Sequence, residues 1–220
     1  MVRPYKWGKK IVFNLNLRIM SKGSIIGIVV AALLVLLFAG GCSQYNGLVS
    51  ANQEVEKSWG QVENQYQRRA DLIPNLVNTV KGYASHESET LESVTNARAG
   101  LTEAYNDANE MTPAEAQQNI EAYQQRQSAL KGALDIYVNA VREAYPDLKA
   151  NENFMNLQAQ LEGTENRIAT ERMRYNEAVQ VYNNKVLRFP GNIFAGMFNF
   201  EKKDMFKAEE GAQHAPKVEF

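Results

Sequence analysis

Apolar residues recur at alternating steps of three and four from Tyr45 onward, and no other feature restricts the fold of this chain so tightly. Tyr45, Leu48, Val55, Trp59, Val62, Tyr66, Ile73, Leu76, Val80 and Tyr83 fall on one stripe, interrupted at stripe positions only by Asn52 and Arg69. A stripe of this kind is the seam of a helix packed against other helices. Thr112-Pro113-Ala114-Glu115 reads as a capping box with proline at the first helical position, because the hydroxyl and the carboxylate can each satisfy an orphan N–H. It opens a second stripe through Ala116, Ile120, Tyr123, Gln127, Leu130, Leu134, Tyr137, Val141 and Ala144, which Pro146 stops. Asn151 can cap a third helix with Phe154, Leu157, Leu161, Thr164, Ile168, Glu171, Tyr175, Ala178 and Tyr182 on its seam, ended by Pro190-Gly191. Leu91, Val94, Leu101, Tyr105 and Ala108 mark a shorter helix out of phase with Tyr83. That shift predicts a break over Ser85 to Ser88, the alternative being one bent helix from 45 to 109. With no competing strand alternation, the expected fold is all-α: an antiparallel up-and-down four-helix bundle of long helices.

The N-terminus has a different chemistry. Arg3, Lys6, Lys9, Lys10, Arg18 and Lys22 precede an apolar run from Ile25 to Gly41, with no acid before it. This is the layout of an export signal or membrane anchor. Cys42, the only cysteine, closes the run behind Ala39, Gly40 and Gly41. Small residues before a thiol are what a lipoprotein signal needs, which makes Cys42 the candidate lipid-attachment residue, although Ala39 stands where a larger aliphatic is usual. The competing reading is an uncleaved anchor with an idle thiol, its run of roughly 25 Å being short for a bilayer core of about 30 Å. Either way the basic flank lies on the cytoplasmic side and the body outside, at the cell membrane or the outer membrane. Ser43 in place of aspartate permits the outer membrane. Met20 would begin a signal of ordinary length and is an alternative start to Met1. The expected organisation is a signal or anchor over 1–42, a helical body over 43–207 and a polar tail over 208–220.

Composition excludes several functions. Beyond the early basic flank the chain has 18 Lys and Arg against 25 Asp and Glu, a formal charge of -7, so no nucleic-acid partner is expected. Disulfides have no second cysteine to form with. His86 and His214 are the only histidines and stand in no metal-binding spacing, and no glycine-rich phosphate loop or GxSxG elbow occurs. His86-Glu87 reads as a solvated pair at a helix boundary. No cofactor, metal or enzymatic activity is expected.

Each long seam carries one strongly polar residue near its middle: Arg69, Gln127 and Glu171. One reading is a buried polar layer in which Arg69 and Glu171 meet and fix helix register. The other is that Arg69 snorkels to the surface. Pro74, five residues later, removes an N–H from the first long helix and predicts a kink there, with Arg68 or Arg69 serving the carbonyls it frees. The closing FPGNIFAGMFNFEKKDMF puts Phe189, Phe194, Met197, Phe198, Phe200 and Phe206 outside any heptad. It is expected to fold over one end of the bundle, or else to form an exposed partner or membrane contact.

YNGLVSANQEVEKSWGQVENQYQRRADLIPNLVNTVKGYASHE, together with YPDLKANENFMNLQAQLEGTENRIATERMRYNEAVQVYNNKVLRFPGN and the closing PKVEF, resembles the LemA family of bacterial envelope proteins over residues 45 to 220. The resemblance implies a four-helix bundle outside an N-terminal membrane segment that is usually uncleaved, and no established activity. The expected function is that of a membrane-tethered, non-enzymatic scaffold or adaptor with a protein partner in the envelope. The alternative is a lipid or peptide carrier using a groove near the Pro74 kink.

Overall fold

A computed structural model describes residues 22–84 and 92–208. The expected break at 85–88, Leu91, His86 with Glu87, His214, Met1, Met20, the basic residues up to Arg18 and the tail past 208 lie outside them. Six α-helices, not four, and no strand occur among the described residues. They are α1 (Lys22–Ala84), α2 (Glu92–Ala108), α3 (Pro113–Gln118), α4 (Ile120–Ala144), α5 (Glu152–Leu187) and α6 (Gly191–Met197), with a 3-10 turn at Pro146–Ala150.

The chain divides into two compact units, Met1–Gln44 and Tyr45–Phe220. In the first, the apolar stretch is long and apolar enough to cross a membrane, and none of it is buried within the protein. Leu36 and Phe38 are 69% and 75% exposed. So many large aliphatic side chains on every face of a helix are stable only where the solvent is itself apolar. Cys42 is a free, exposed thiol in this unit.

The second unit is built on the seams. Leu48, Val55, Trp59, Val62 and Tyr66 are buried on α1, as are Leu130, Leu134, Tyr137 and Val141 on α4 and Leu161, Ile168, Tyr175 and Tyr182 on α5. Lys185 meets Gly47, Trp59 meets Tyr175 and Arg69 meets Glu165, so α1 and α5 run antiparallel. Trp59 meets Tyr123, Arg69 meets Gln127 and Tyr83 meets Tyr145, so α1 and α4 run parallel. α2 returns against α4, with Asp107 beside Arg126 and Arg98 beside Tyr137.

Two short helices account for the difference from four. The capping box forms as the sequence predicts: Thr112 Oγ1 accepts from Glu115 N, and Glu115 Oε2 accepts from Thr112 N at 2.9 Å. These hydrogen bonds from Thr112 hold the Glu115 carboxyl below its ordinary range. The helix it opens stops six residues later at Asn119, whose side chain accepts from Ala122 N and starts α4 afresh. Asparagine competes for backbone donors in this way, which is why it favours caps over helix interiors. Asn151 caps α5 by accepting from Phe154 N at 3.1 Å.

α6 ends in a turn through Asn199, which takes φ of 55°. Phe198 N donates to Phe194 O and Phe200 N to Ala195 O, a Schellman closure in which asparagine tolerates the left-handed position. From there the chain does not cover an end of the helices. It runs extended back along α5, passing Asn183 at Lys203 and Asn176 at Phe206. The aromatics of this segment divide. Phe206 is buried and Phe194 and Phe200 pack partly against the core, while Phe189 and Met197 are 80% and 67% exposed.

Candidate functional site

The buried side chains of the second unit form two apolar clusters. One contains Leu48, Trp59, Tyr66, Tyr123, Ile168 and Tyr182; the other contains Ile73, Leu76, Leu101, Leu130, Tyr137 and Leu161. On each long helix the residue between the clusters is polar and buried: Arg69 between Tyr66 and Ile73, Gln127 between Tyr123 and Leu130, Thr164 between Leu161 and Ile168. A polar layer therefore cuts the core in two.

Arg69 is only 2% exposed and does not snorkel. Its Nη1 donates to Glu165 Oε1 at 2.9 Å on α5. Its Nη2 donates to Gln127 O at 3.1 Å and to Gln127 Oε1 on α4. Gln127 Nε2 in turn donates to Ala108 O at 3.2 Å, the last residue of α2, satisfying a carbonyl that a helix C-terminus leaves orphaned. The guanidinium also lies 5.2 Å from the Tyr66 ring centroid, within cation–π range. One arginine thus links α1, α4 and α5 directly and α2 through Gln127.

Glu171 is not part of this layer. It lies six residues beyond Glu165, about 9 Å along a helix of this rise, and pairs with Arg174 at 2.7 Å on its own helix. The carboxylate that Arg69 reaches is a residue flanking the seam, not on it. Glu165 keeps a quarter of its side chain exposed, so it needs less compensation than a fully buried acid would.

Pro74 lies inside α1 on its exposed side, and the helix continues to Ala84. The Arg69 Nη groups do not serve its freed carbonyl as expected, since they donate to α4 and α5. Nearby, Asn75 Nδ2 donates to Asp71 O at 3.2 Å and Thr79 Oγ1 to Asn75 O at 2.9 Å, neither of them Ala70 O, the carbonyl that Pro74 frees.

Beside the polar layer an open cleft of about 490 Å³ lies between α1, α4 and the α2–α3 turn, lined among others by Glu63, Gln67, Glu110, Tyr123 and Gln127. Pro74 is not among its lining residues, which moves the expected groove one to two turns toward the start of α1. Burial raises the Glu63 carboxyl above its usual range, and nearby Glu56 adds to this. Among the described residues no group of His, Cys, Asp and Glu is arranged to hold a metal. Arg69 and Gln127 hold helices to one another, whereas Thr164 bonds within its own helix to Gln160 O.

A second constellation went unforeseen: Gln124 on α4 and Asn176 and Asn183 on α5 each turn a side-chain amide onto the extended segment after α6. In sequence these are ordinary polar neighbours of seam residues.

The family model described as LemA family matches residues 58–220. Protein LemA of Metamycoplasma hominis is 24% identical over 165 residues, covering 75% of this chain and 69% of that protein. The magnetosome proteins MamQ 1 and MamQ 2 of Paramagnetospirillum magneticum are each 25% identical over 176 residues, covering 74% of this chain. The chain spans 65% of the length of each magnetosome protein. With most of its length matched by the family model, the chain belongs to the LemA family.

Proposed function

We propose that this protein is a membrane-tethered, non-enzymatic scaffold or adaptor of the bacterial cell envelope, with its helical body on the extracytoplasmic side. The observation that carries this reading is the use of the buried polar groups. The Arg69 Nη groups, Gln127 and Thr164 direct their hydrogen bonds to the helices, and among the described residues no convergent set of acid, base and nucleophile is left over for chemistry. An unburied apolar stretch before Cys42 directs the chain to the membrane. Relatives that carry the magnetosome name fit a membrane-tethered role. Crosslinking in intact cells followed by mass spectrometry tests the reading. A reproducible protein partner is the expected result. Copurified lipid or free peptide without a partner would instead support a carrier, using the cleft at Glu63.

The tether is proposed to be a lipid on Cys42, whose thiol is exposed and follows three small residues. Intact mass of membrane-extracted protein should then correspond to a chain beginning at Cys42 with a diacylglycerol adduct. Recovery of the unprocessed chain without adduct would make the apolar run a permanent anchor.

A further inference from the structure

The segment from Glu201 to Lys207 has no regular structure of its own, and its main chain is held by side chains of α4 and α5. Asn183 donates to Lys203 O at 2.8 Å and accepts from Lys203 N at 2.9 Å. Asn176 does the same for Phe206, with both bonds at 2.9 Å. Gln124 repeats the pattern on Lys207, at 2.9 and 3.0 Å. Three carboxamides thus each clamp the N–H and C=O of one residue. Tyr182 Oη donates to Glu201 O at 2.9 Å, Tyr175 Oη to Asp204 O at 3.3 Å and Arg172 Nη2 to Lys207 O at 3.0 Å. None of these bonds depends on the side chain of the residue held. Reading the main chain for affinity and a few side-chain pockets for selectivity is how extended peptides are recognised.

The selective part is also present. Phe206 is buried, stacked on Trp59 with centroids 6.0 Å apart and planes 10° apart, edge-on to Tyr175, and covered by the Arg172 guanidinium 4.9 Å away. Lys203 pairs with Glu56, and Lys207 with Glu121 at 2.7 Å. Burial opposes ionisation of Glu56, but the hydrogen bonds from Lys203 and Gln117 prevail and hold its carboxyl below the usual range. An aromatic socket flanked by two acids selects a basic residue, then an aromatic three positions on, then a second basic residue.

We propose that this trough is a binding site for extended peptides of partner proteins, and that residues 201–207 are its occupant in cis, displaced when a partner engages. The proposal rests on the adaptor reading and gives its partner a chemistry: an extended segment of the form basic-x-x-aromatic-basic. The acidic rim, on a body of net negative charge, favours such a segment. A strap from a second copy would only reproduce contacts already made, whereas a partner peptide can improve on them. Asn183 and Gln124 are buried beneath the strap, so opening the trough exposes their amides to water or to another main chain. Occupation in cis lowers the apparent affinity for a partner in proportion to the fraction of open trough.

The test uses the full chain in detergent and a fluorescent peptide EKKDMFKA, the sequence of residues 201–208. Phe206→Ala should loosen the strap and bind the peptide at least about tenfold more tightly than the unaltered chain. Adding Asn176→Ala should remove that gain, because with the strap already loosened the lost clamp weakens only the bound peptide. A folded Phe206→Ala chain, helical and cooperatively melting, that binds no more tightly than the original would overturn the proposal. So would its conversion to a dimer without peptide binding, which would assign the trough to a second copy. Should Phe206→Ala fail to fold, a protease site inserted between Phe198 and Asn199 replaces it. After cleavage, excess labelled peptide should displace the cut strap; a strap retained without exchange would refute displacement. Peptide binding by the isolated protein with no partner found in cells would sink the adaptor role and leave the trough standing, and the reverse result would do the opposite.

Discussion

Arg69→Met is expected to destabilise the helical unit by about 3–5 kcal/mol, the usual cost of removing one member of a buried charged pair. The loss has two parts. Glu165 loses its partner, and Gln127 loses the donor to both its side-chain and main-chain oxygens. Glu165→Leu should cost a comparable amount, because it leaves the buried guanidinium without a countercharge even though Gln127 still accepts from it. The double variant should recover much of the loss, with a coupling energy above about 1 kcal/mol. Arg69→Lys should not rescue, since one ammonium cannot reproduce a planar fork that addresses α4 and α5 at once. Urea unfolding followed by tryptophan fluorescence gives all of these values, Trp59 being in the apolar cluster next to the layer. The same cycle between Arg69 and Glu171 should be additive to within about 0.5 kcal/mol, because the two do not meet. Additivity between Arg69 and Glu165 would remove the layer as the element that sets helix register.

That contrast shows where sequence stopped being informative. The 3-4 spacing identified which residues face inward, because burial follows helical phase and each helix carries its own phase. The capping box at Thr112 and the cap at Asn151 were legible for a similar reason, being satisfied within four residues. Partner choice depends on the axial register between α1 and α5, which no local pattern encodes. Arg69 was therefore readable as a seam position, buried or snorkelling, and in the buried reading Glu171 was assigned to it in place of Glu165. The break at Asn119 was hidden because Ala116, Ile120 and Tyr123 keep one stripe across it. The trough lay deepest. Gln124, Asn176 and Asn183 become clamps only through the course of a segment that follows α6, and nothing in their own neighbourhood specifies that course.

Alkaline pH should unfold this protein more sharply than its carboxylates could account for. Burial raises the phenols of Tyr123, Tyr137, Tyr175 and Tyr182 above the ordinary tyrosine value, Tyr137 to about 12. Below about pH 10 these groups are neutral in both the folded and the unfolded chain, and their contribution is fully present. Above it the unfolded chain loses protons first, and stability falls as pH rises through the folded values. Each fully shifted phenol removes about 1.4 kcal/mol per pH unit. Tyr123, Tyr137 and Tyr175, all nearly fully buried, together remove about 4 kcal/mol per unit. Two units of that exceed half the usual total of about 5–15 kcal/mol. Tyrosinate absorbance should accordingly rise in two stages. Exposed phenols titrate first and without loss of helix, and the buried ones ionise in a cooperative step that coincides with loss of the helical circular dichroism. Tyr137→Phe should flatten the alkaline slope by about 1.4 kcal/mol per unit. Tyr175 and Tyr182 donate to the strap at Asp204 and Glu201, so their ionisation would also release residues 201–207. Titration of all the phenols in one stage near their ordinary value, with helix retained, would mean that the tyrosine-lined core is open to water and would remove both the alkaline transition and its link to the strap.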